Sequence, residues 1–388
     1  MKKFETQVVV IGGGITGCGV VRDLAMRGLD AVLFERGNLA EGTTGSFHGL
    51  LHSGGRYAVE DPPAARECIQ ENRILRRIAP QAIEDTGGFF VALSDEDEAF
   101  LPRFLDGCRA CGIPTEMLSP EEAFSEEPAL PRGLRAAVAV PDGSVDARHL
   151  CIGSVDAATE LGSRVFLFTR VTDILRKDDR VVGVNAEDQR TGQTYEVRAE
   201  YVINASGPWT DRVAGLAGIE IPIVLNEGVM VVLETRPVQR VINRCRHPGD
   251  GDIIVPVGST VVLGTTSVSV EDPDDFSYRQ WEVDTVLAEG MQMVPMIEGI
   301  GVQRCYAGVR PLYEPPEALT GEEKGRDVSR THAVLDHAER DAVGGFITVT
   351  GGKVTTSRLM AEDTVDLLAE KMGFDEPCCT AEEPLPTG

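Results

Sequence analysis

Gly12-x-Gly14-x-x-Gly17 follows directly on an apolar run from Val8 to Ile11. It opens a helix-forming stretch that reaches about Arg27, and Gly28 and a second apolar strand ending at Glu35 come next. Each part has a chemical task. Gly12 permits a tight turn, Gly14 lets a diphosphate approach the backbone, and Gly17 lets the helix pack closely on the strand. The unpaired N–H groups and positive end of the helix then receive the phosphates. Glu35 lies eighteen residues after Gly17, where a carboxylate accepts from both ribose hydroxyls. Strand, helix, second strand and terminal acid together describe an adenine-dinucleotide site.

Three cations stand at glycine-bounded turns: Arg56 after Ser53-Gly54-Gly55, Arg310 in "GVRPL", and Lys353 at the end of "TGGK". By residue type alone each reads as a salt-bridge partner or a surface cation. His48 and His52 lie in "RGNLAEGTTGSFHGLLHSGGRYAVED", a stretch of loop composition too long for a mere connector. An imidazole with an ordinary pKa near 6.5 suits proton transfer. A hydrogen bond to cofactor or backbone accounts for either histidine equally well. His149, His247, His332 and His337 have no such context and read as structural. Cys108 and Cys111 form a C-x-x-C on a predicted helix, without the second pair or histidines that zinc needs, so no metal is expected. Cys378 and Cys379 are a weaker case still.

Helical spacing of apolar residues predicts helices in "PPAARECIQENRILRRIAP", "EDEAFLPRFLDGCRACG" and "YRQWEVDTVLAEGMQMVP". "LSPEEAFSEEPAL" carries a helix-entry signal. "LRAAVAVPDGSVDARHL" reads as a strand that passes through a Pro-Asp-Gly turn into a helix over residues 146–161. "GGFFVAL" is a short strand; "VMVVLET", "DIIVPVG" and "TVVLGTT" read as strands of an antiparallel sheet. "YVINASGPW" is an apolar strand stopping at Ala205-Ser206-Gly207, and the chain closes on strand, glycine turn and long helix in "GGFITVTGGKVTTSRLMAEDTVDLLAEKMG". These predict an α/β chain (α+β overall): a Rossmann-like dinucleotide domain from residues 1–75, 145–222 and 330–388, interleaved with an antiparallel-sheet substrate domain from 76–144 and 223–329.

At 388 residues and 42% hydrophobic the chain can bury a large core. No signal peptide or apolar run of about eighteen residues stands out, so a soluble or peripheral, cytoplasmic protein with reduced cysteines is expected. Acids outnumber bases 62 to 37, a net charge of −25, which excludes a general nucleic-acid binder. Lysine is scarce and arginine carries the positive charge, a balance suited to a high-salt cytoplasm where self-repulsion is screened.

The fingerprint, "TTGSFHGLLHSGGRYAV", "INASGPW", "GTTS", "YAGVRPL" and "TGGKVTTSRLMAE" occur in order along nearly the whole chain. Together they resemble the FAD-dependent glycerol-3-phosphate dehydrogenases of the D-amino-acid-oxidase superfamily. "INRCRHPGDGDIIVP" and "LDHAERDAVGGFIT" are most similar to the large flavin subunit of the anaerobic type. The aerobic type tends to carry a histidine near the position of Met230, absent here. Anaerobic flavin subunits continue into a cysteine-rich iron–sulfur region, whereas this sequence stops at Gly388, either as a truncated form or as one that reaches its partner differently.

The resemblance implies a D-amino-acid-oxidase-like fold and a non-covalent FAD. Gly12, Gly14, Gly17, Glu35 and Arg36 would hold the ADP half, with Thr43, Thr44 and Ser46 donating hydroxyls and His48 facing the ring. Val171 would pair its backbone with adenine. Ala205 and Gly207 would close beneath the ribityl chain. Gly351, Gly352, Val354 and Thr355 would meet the isoalloxazine at a helix N-terminus, where the dipole favours the reduced ring's negative charge. The family's active-site residues map onto Arg56, Tyr57, Arg310 and Lys353. A doubly anionic phosphorylated polyol needs such fixed cations. The implied reaction is oxidation of sn-glycerol 3-phosphate at C2, with Arg310 and Lys353 steadying the alkoxide and His52 or water taking the proton. Electrons would pass to quinone through iron–sulfur and membrane-anchor partner subunits, placing the protein peripherally on the cytoplasmic face of the membrane. Two other readings stay open. An oxidase or dehydrogenase of an amine or 2-hydroxy acid would need one bidentate arginine. A non-catalytic flavin electron-transfer protein would need none of the three cations.

Overall fold

A computed structural model describes residues 1–313 and 331–386. Residues 314–330, which span the end of the stretch expected to form the second domain and the expected boundary at 330, lie outside the described residues. The first strand runs from Lys2 to Ile11, starting earlier than its apolar run because Lys2–Thr6 pair with Tyr195–Ala199. It lies parallel to Ala31–Phe34 on one side and to Thr194–Asn204 on the other. Arg164–Phe166 and Phe346–Gly351 extend the parallel core outward. The second strand stops at Phe34, so Glu35 stands just beyond it, its N–H donating to the Phe166 carbonyl. Val8 and Val10 have no exposed surface, because the helices Ile15–Met26, Ala147–Glu160 and Ser357–Met372 cover one face of this sheet, while Val9 is buried on the opposite face with Val32, Val184 and Val197.

The second large sheet has nine strands and is antiparallel except where Val241–Arg244 runs parallel to Gly88–Ala92. Ile223–Leu233, Ile253–Val257 and Thr260–Gly264, expected as antiparallel strands, all lie in it. Its longest pairing joins Ile223–Leu233 to Val302–Tyr313. The predicted helices fall at Pro62–Ile78, Asp95–Cys111, Pro120–Glu126 and Gln280–Met293. Capping boxes at Ser94 and Ser119 start two of them, as Ser followed three residues later by an acid requires.

Between the sheets, Leu50–Leu51, Ile83–Glu84 and Gly143–Val145 make a small three-stranded sheet. None was expected, since two- or three-residue strands carry no readable period. In particular, the Pro-Asp-Gly turn leads into Gly143–Val145 before the helix starts at Ala147. This sheet pins the long loop after Glu35, which thereby reaches both larger sheets. Cys108 and Cys111 are buried on one helix, and burial pushes the Cys108 thiol up to about 12.

Candidate active site

The two large sheets border a cavity of ≈1430 Å³ that runs from the dinucleotide fingerprint to the cationic loop residues. Drug-sized sites are commonly about 300–1,000 Å³, so this space suits an elongated dinucleotide together with a small second molecule.

The glycines leave backbone where a side chain would intrude. A Cβ on Gly12, whose φ is +112°, would stand 2.6 Å from the Ala205 carbonyl oxygen. One on Gly17 would stand 2.0 Å from the Gly12 carbonyl oxygen, so Gly17 seats the helix without itself lining the cavity. Gly14 is the N-cap and has no side chain to cap with; instead the Ile15 N–H donates to Thr44 Oγ1 at 3.0 Å. The Thr44 hydroxyl is thus oriented with its own proton left to donate into the cavity it lines. Thr43 also lines the cavity, but its hydroxyl donates to the Val309 carbonyl.

Glu35 is pinned by two backbone donors, Gly13 N–H to Oε2 at 2.6 Å and Gly37 N–H to Oε1 at 2.7 Å. Each carboxylate oxygen keeps a lone pair for a hydroxyl in the cavity. Val171 lines this end with its neighbours Thr169 and Thr172. Arg36 stacks 3.9 Å above the Trp209 ring and pairs with Asp274 at 3.2 Å. Ala205, Gly207, Gly351, Gly352 and Val354 continue the wall. Gly351 and Gly352 have φ of +79° and +70°, a turn that sets Lys353 ahead of the closing helix.

This donor set fits FAD: a helix N-terminus open to phosphate, an anchored carboxylate for ribose hydroxyls, and a bare glycine floor of the right extent.

His48, His52, Arg56, Tyr57, Arg310 and Lys353 all border the other end of the same cavity. They come from the long loop, the Val302–Tyr313 strand and the Gly351–Lys353 turn. Lys353 Nζ lies 4.9 Å from the Tyr57 ring centroid, and the His52 ring lies 5.3 Å from that of Tyr57. Arg56 donates through Nη2 to Asp252 Oδ1 at 2.6 Å and to the Gly249 carbonyl at 3.2 Å. Burial, reinforced by the charges of Arg310 and Arg56, brings His48 down to about 3. Its Nδ1 accepts the Leu50 N–H at 3.1 Å, which leaves the proton on Nε2. His48 therefore offers a donor, and it is no base. The His52 backbone N–H donates to Thr355 Oγ1 at 3.1 Å, and Asn72 Nδ2 donates to the His52 carbonyl at 3.0 Å.

Three expected cofactor residues, Gly17, Ser46 and Thr355, are not among those bordering the cavity. Ser46 packs its carbonyl on Gly308, while Thr355 is fully buried under His52. His247, read as structural, belongs to the cavity rim with Pro248 and Gly249. His337 is fully buried between Asp341 and Thr348, and His332 pairs with Asp363. Thr265, Ser267, Trp209 and Asp274 also line the cavity and were not singled out from sequence. The "GTTS" and "INASGPW" segments that carry Thr265, Ser267 and Trp209 were visible as motifs, but nothing local assigned their side chains a direction.

A family model described as FAD dependent oxidoreductase matches residues 7–367. The chain is 48% identical over 395 residues to the A1 subunit of anaerobic glycerol-3-phosphate dehydrogenase from Haloferax volcanii, covering all of this chain and 67% of that protein. It is 43% identical to the corresponding anaerobic glycerol-3-phosphate dehydrogenase subunit of Escherichia coli K12, covering 100% of this chain and 71% of that one. Among solved structures, glycerol-3-phosphate dehydrogenase from Bacillus halodurans complexed with FAD aligns with a TM-score of 0.75 at 24% identity, over 98% of this chain and 68% of that one. Glycine oxidase from Geobacillus kaustophilus aligns equally well, at 0.75 and 23% identity over 98% of both chains, which speaks to the fold alone.

Proposed function

The chain belongs to the FAD-dependent oxidoreductase family, and on that premise we propose that it oxidises sn-glycerol 3-phosphate to dihydroxyacetone phosphate. The observation that carries the reading is the meeting of Arg56, Arg310 and Lys353 in one cavity with the dinucleotide cradle. A phosphate dianion bearing an oxidisable alcohol needs that many cations, whereas a monocarboxylate needs one arginine. FAD, when bound, supplies the hydride acceptor for C2.

The chain's own residues do the rest. Arg56 takes the phosphate, its Nη2 committed to Asp252 and its remaining N–H groups left for phosphate oxygens. Arg310 and Lys353 stabilise the C2 oxygen as its proton departs. His52, in the same cavity wall, is the side chain placed to receive that proton, and His48 Nε2–H donates. Tyr57 packs against both Lys353 and His52 and holds their spacing.

The relatives are themselves named as subunits of an anaerobic dehydrogenase, which supports partner subunits as the route for the electrons; their delivery onward to quinone at the cytoplasmic face of the membrane is part of our proposal. Among the described residues no helix is long and apolar enough to cross a membrane.

Anaerobic mixing of the FAD-replete protein with sn-glycerol 3-phosphate tests the reading. Bleaching of the oxidised flavin band by this substrate, and not by glycerol, D-alanine or lactate, is expected. A bound flavin that stays oxidised would overturn it.

A further inference from the structure

Asn226 lies on the Ile223–Leu233 strand directly opposite Arg310, its cross-strand partner. The two side chains meet on one face of the sheet, where Arg310 Nη1 donates to Asn226 Oδ1 at 2.6 Å and to the Glu227 carbonyl at 3.3 Å. Arg310 Nη2 donates to Thr265 Oγ1 and, at 3.3 Å, to the Thr266 carbonyl. Asn226 has no exposed surface. The Ser267 hydroxyl completes its bonding, 3.0 Å from Nδ2 and 3.2 Å from Oδ1. The amide orientation follows from chemistry, since a guanidinium has only donors and must meet the oxygen.

We propose that Asn226 is the positioning residue of Arg310, and that its neutrality is what the reaction requires. An acceptor on a rigid strand aims the guanidinium, while the carboxamide adds no negative charge beside it. An aspartate would fit the same space and make the same bond. It would also draw the Arg310 charge toward itself and away from the developing oxyanion. This inference rests on the reading of Arg310 as the cation that meets the C2 oxygen.

The test compares Asn226→Asp and Asn226→Ala with the wild type as FAD-loaded protein. The readouts are flavin content, melting temperature, KM for sn-glycerol 3-phosphate and the anaerobic rate of flavin bleaching from pH 5 to 9. Asn226→Asp is expected to keep its flavin and melting temperature and to bleach about a hundredfold more slowly at neutral pH. KM should change far less. Its rate should stay low across this range, because the Arg310 guanidinium keeps the new carboxyl ionised, whereas Asn226→Ala, which adds no charge, should lose less. An Asn226→Asp protein that bleaches at the wild-type rate, or whose loss merely tracks lost flavin or stability, overturns the inference. A wild type that is not bleached overturns the substrate reading, and this inference with it.

Discussion

The Asp252 carboxylate, with no exposed surface, holds the Arg56 guanidinium at 2.6 Å across 196 residues of sequence. Its other oxygen accepts the Gly249 N–H at 2.7 Å, so one buried acid fixes both a cavity cation and the turn at the cavity rim. Asp252 opens the Ile253–Val257 strand, and the Ser53 N–H donates to buried Asp142 at 2.7 Å on the other side of the loop. Arg56 is thereby anchored from a rigid sheet, although it sits on a loop.

Arg56→Lys keeps the charge and loses the fork, so KM for sn-glycerol 3-phosphate should rise about tenfold or more while kcat falls less. Arg56→Ala should additionally strand the Asp252 charge and lower stability by about 3–5 kcal/mol. Steady-state kinetics and denaturant melts check both. An unchanged KM in Arg56→Lys would remove Arg56 from the phosphate site.

Asp274 accepts from Trp209 Nε1 at 2.9 Å, Arg212 at 2.6 Å and Arg36 at 3.2 Å, fastening the segment before Gln280 across the dinucleotide end of the cavity. All four side chains border the cavity. The charged groups are nearly half exposed, so the clasp is worth about 1 kcal/mol at most. Asp274→Asn should speed FAD release roughly two- to fivefold in dilute buffer, measured by the rise of free-flavin fluorescence after dilution. The difference should shrink near 1 M salt. Equal release rates at low salt would show that the segment does not hold the cofactor.

With His48 at about 3 in the folded protein and near 6.5 when unfolded, the unfolded chain binds more protons between those values. Stability from this group is therefore present above about pH 6.5 and drains away as the pH falls toward 3. His48→Gln, which keeps a hydrogen-bonding side chain and cannot titrate, should flatten that part of the pH–melting curve. Curves of the same slope for both proteins would show that His48 is charged in the folded state.

A net charge of −25 makes the folded chain repel itself in dilute buffer. The likeness to a Haloferax volcanii protein fits the same acidic balance. Melting temperature should climb steadily as KCl is raised from about 0.1 to 2 M, where the Debye length falls to a few ångströms. A flat profile would mean that the acid excess has no bearing on stability.

The opening strand, its glycines, the first helix and Glu35 were legible because each is written in neighbouring residues: apolar period, turn residue, terminal acid. The capping boxes at Ser94 and Ser119 and the alternating strands of the second sheet were legible for the same reason. Residue type also marked Arg56, Arg310 and Lys353 as cations, but Arg310, expected at a glycine-bounded turn, lies within the Val302–Tyr313 strand, where Gly308 and Val309 are paired as well. What each cation touches was not written locally. Asp252 reaches Arg56, Asn226 faces Arg310 through strand register, and Asp274 closes on Trp209, all across stretches with no sequence period linking them. His48 shows the division within one residue. Its identity announced an imidazole able to titrate near neutrality, but only the fold supplied the Leu50 N–H, the burial and the two arginines that keep it neutral. Local propensity is decided by a few adjacent side chains, whereas charge state and orientation depend on whatever long-range packing brings alongside.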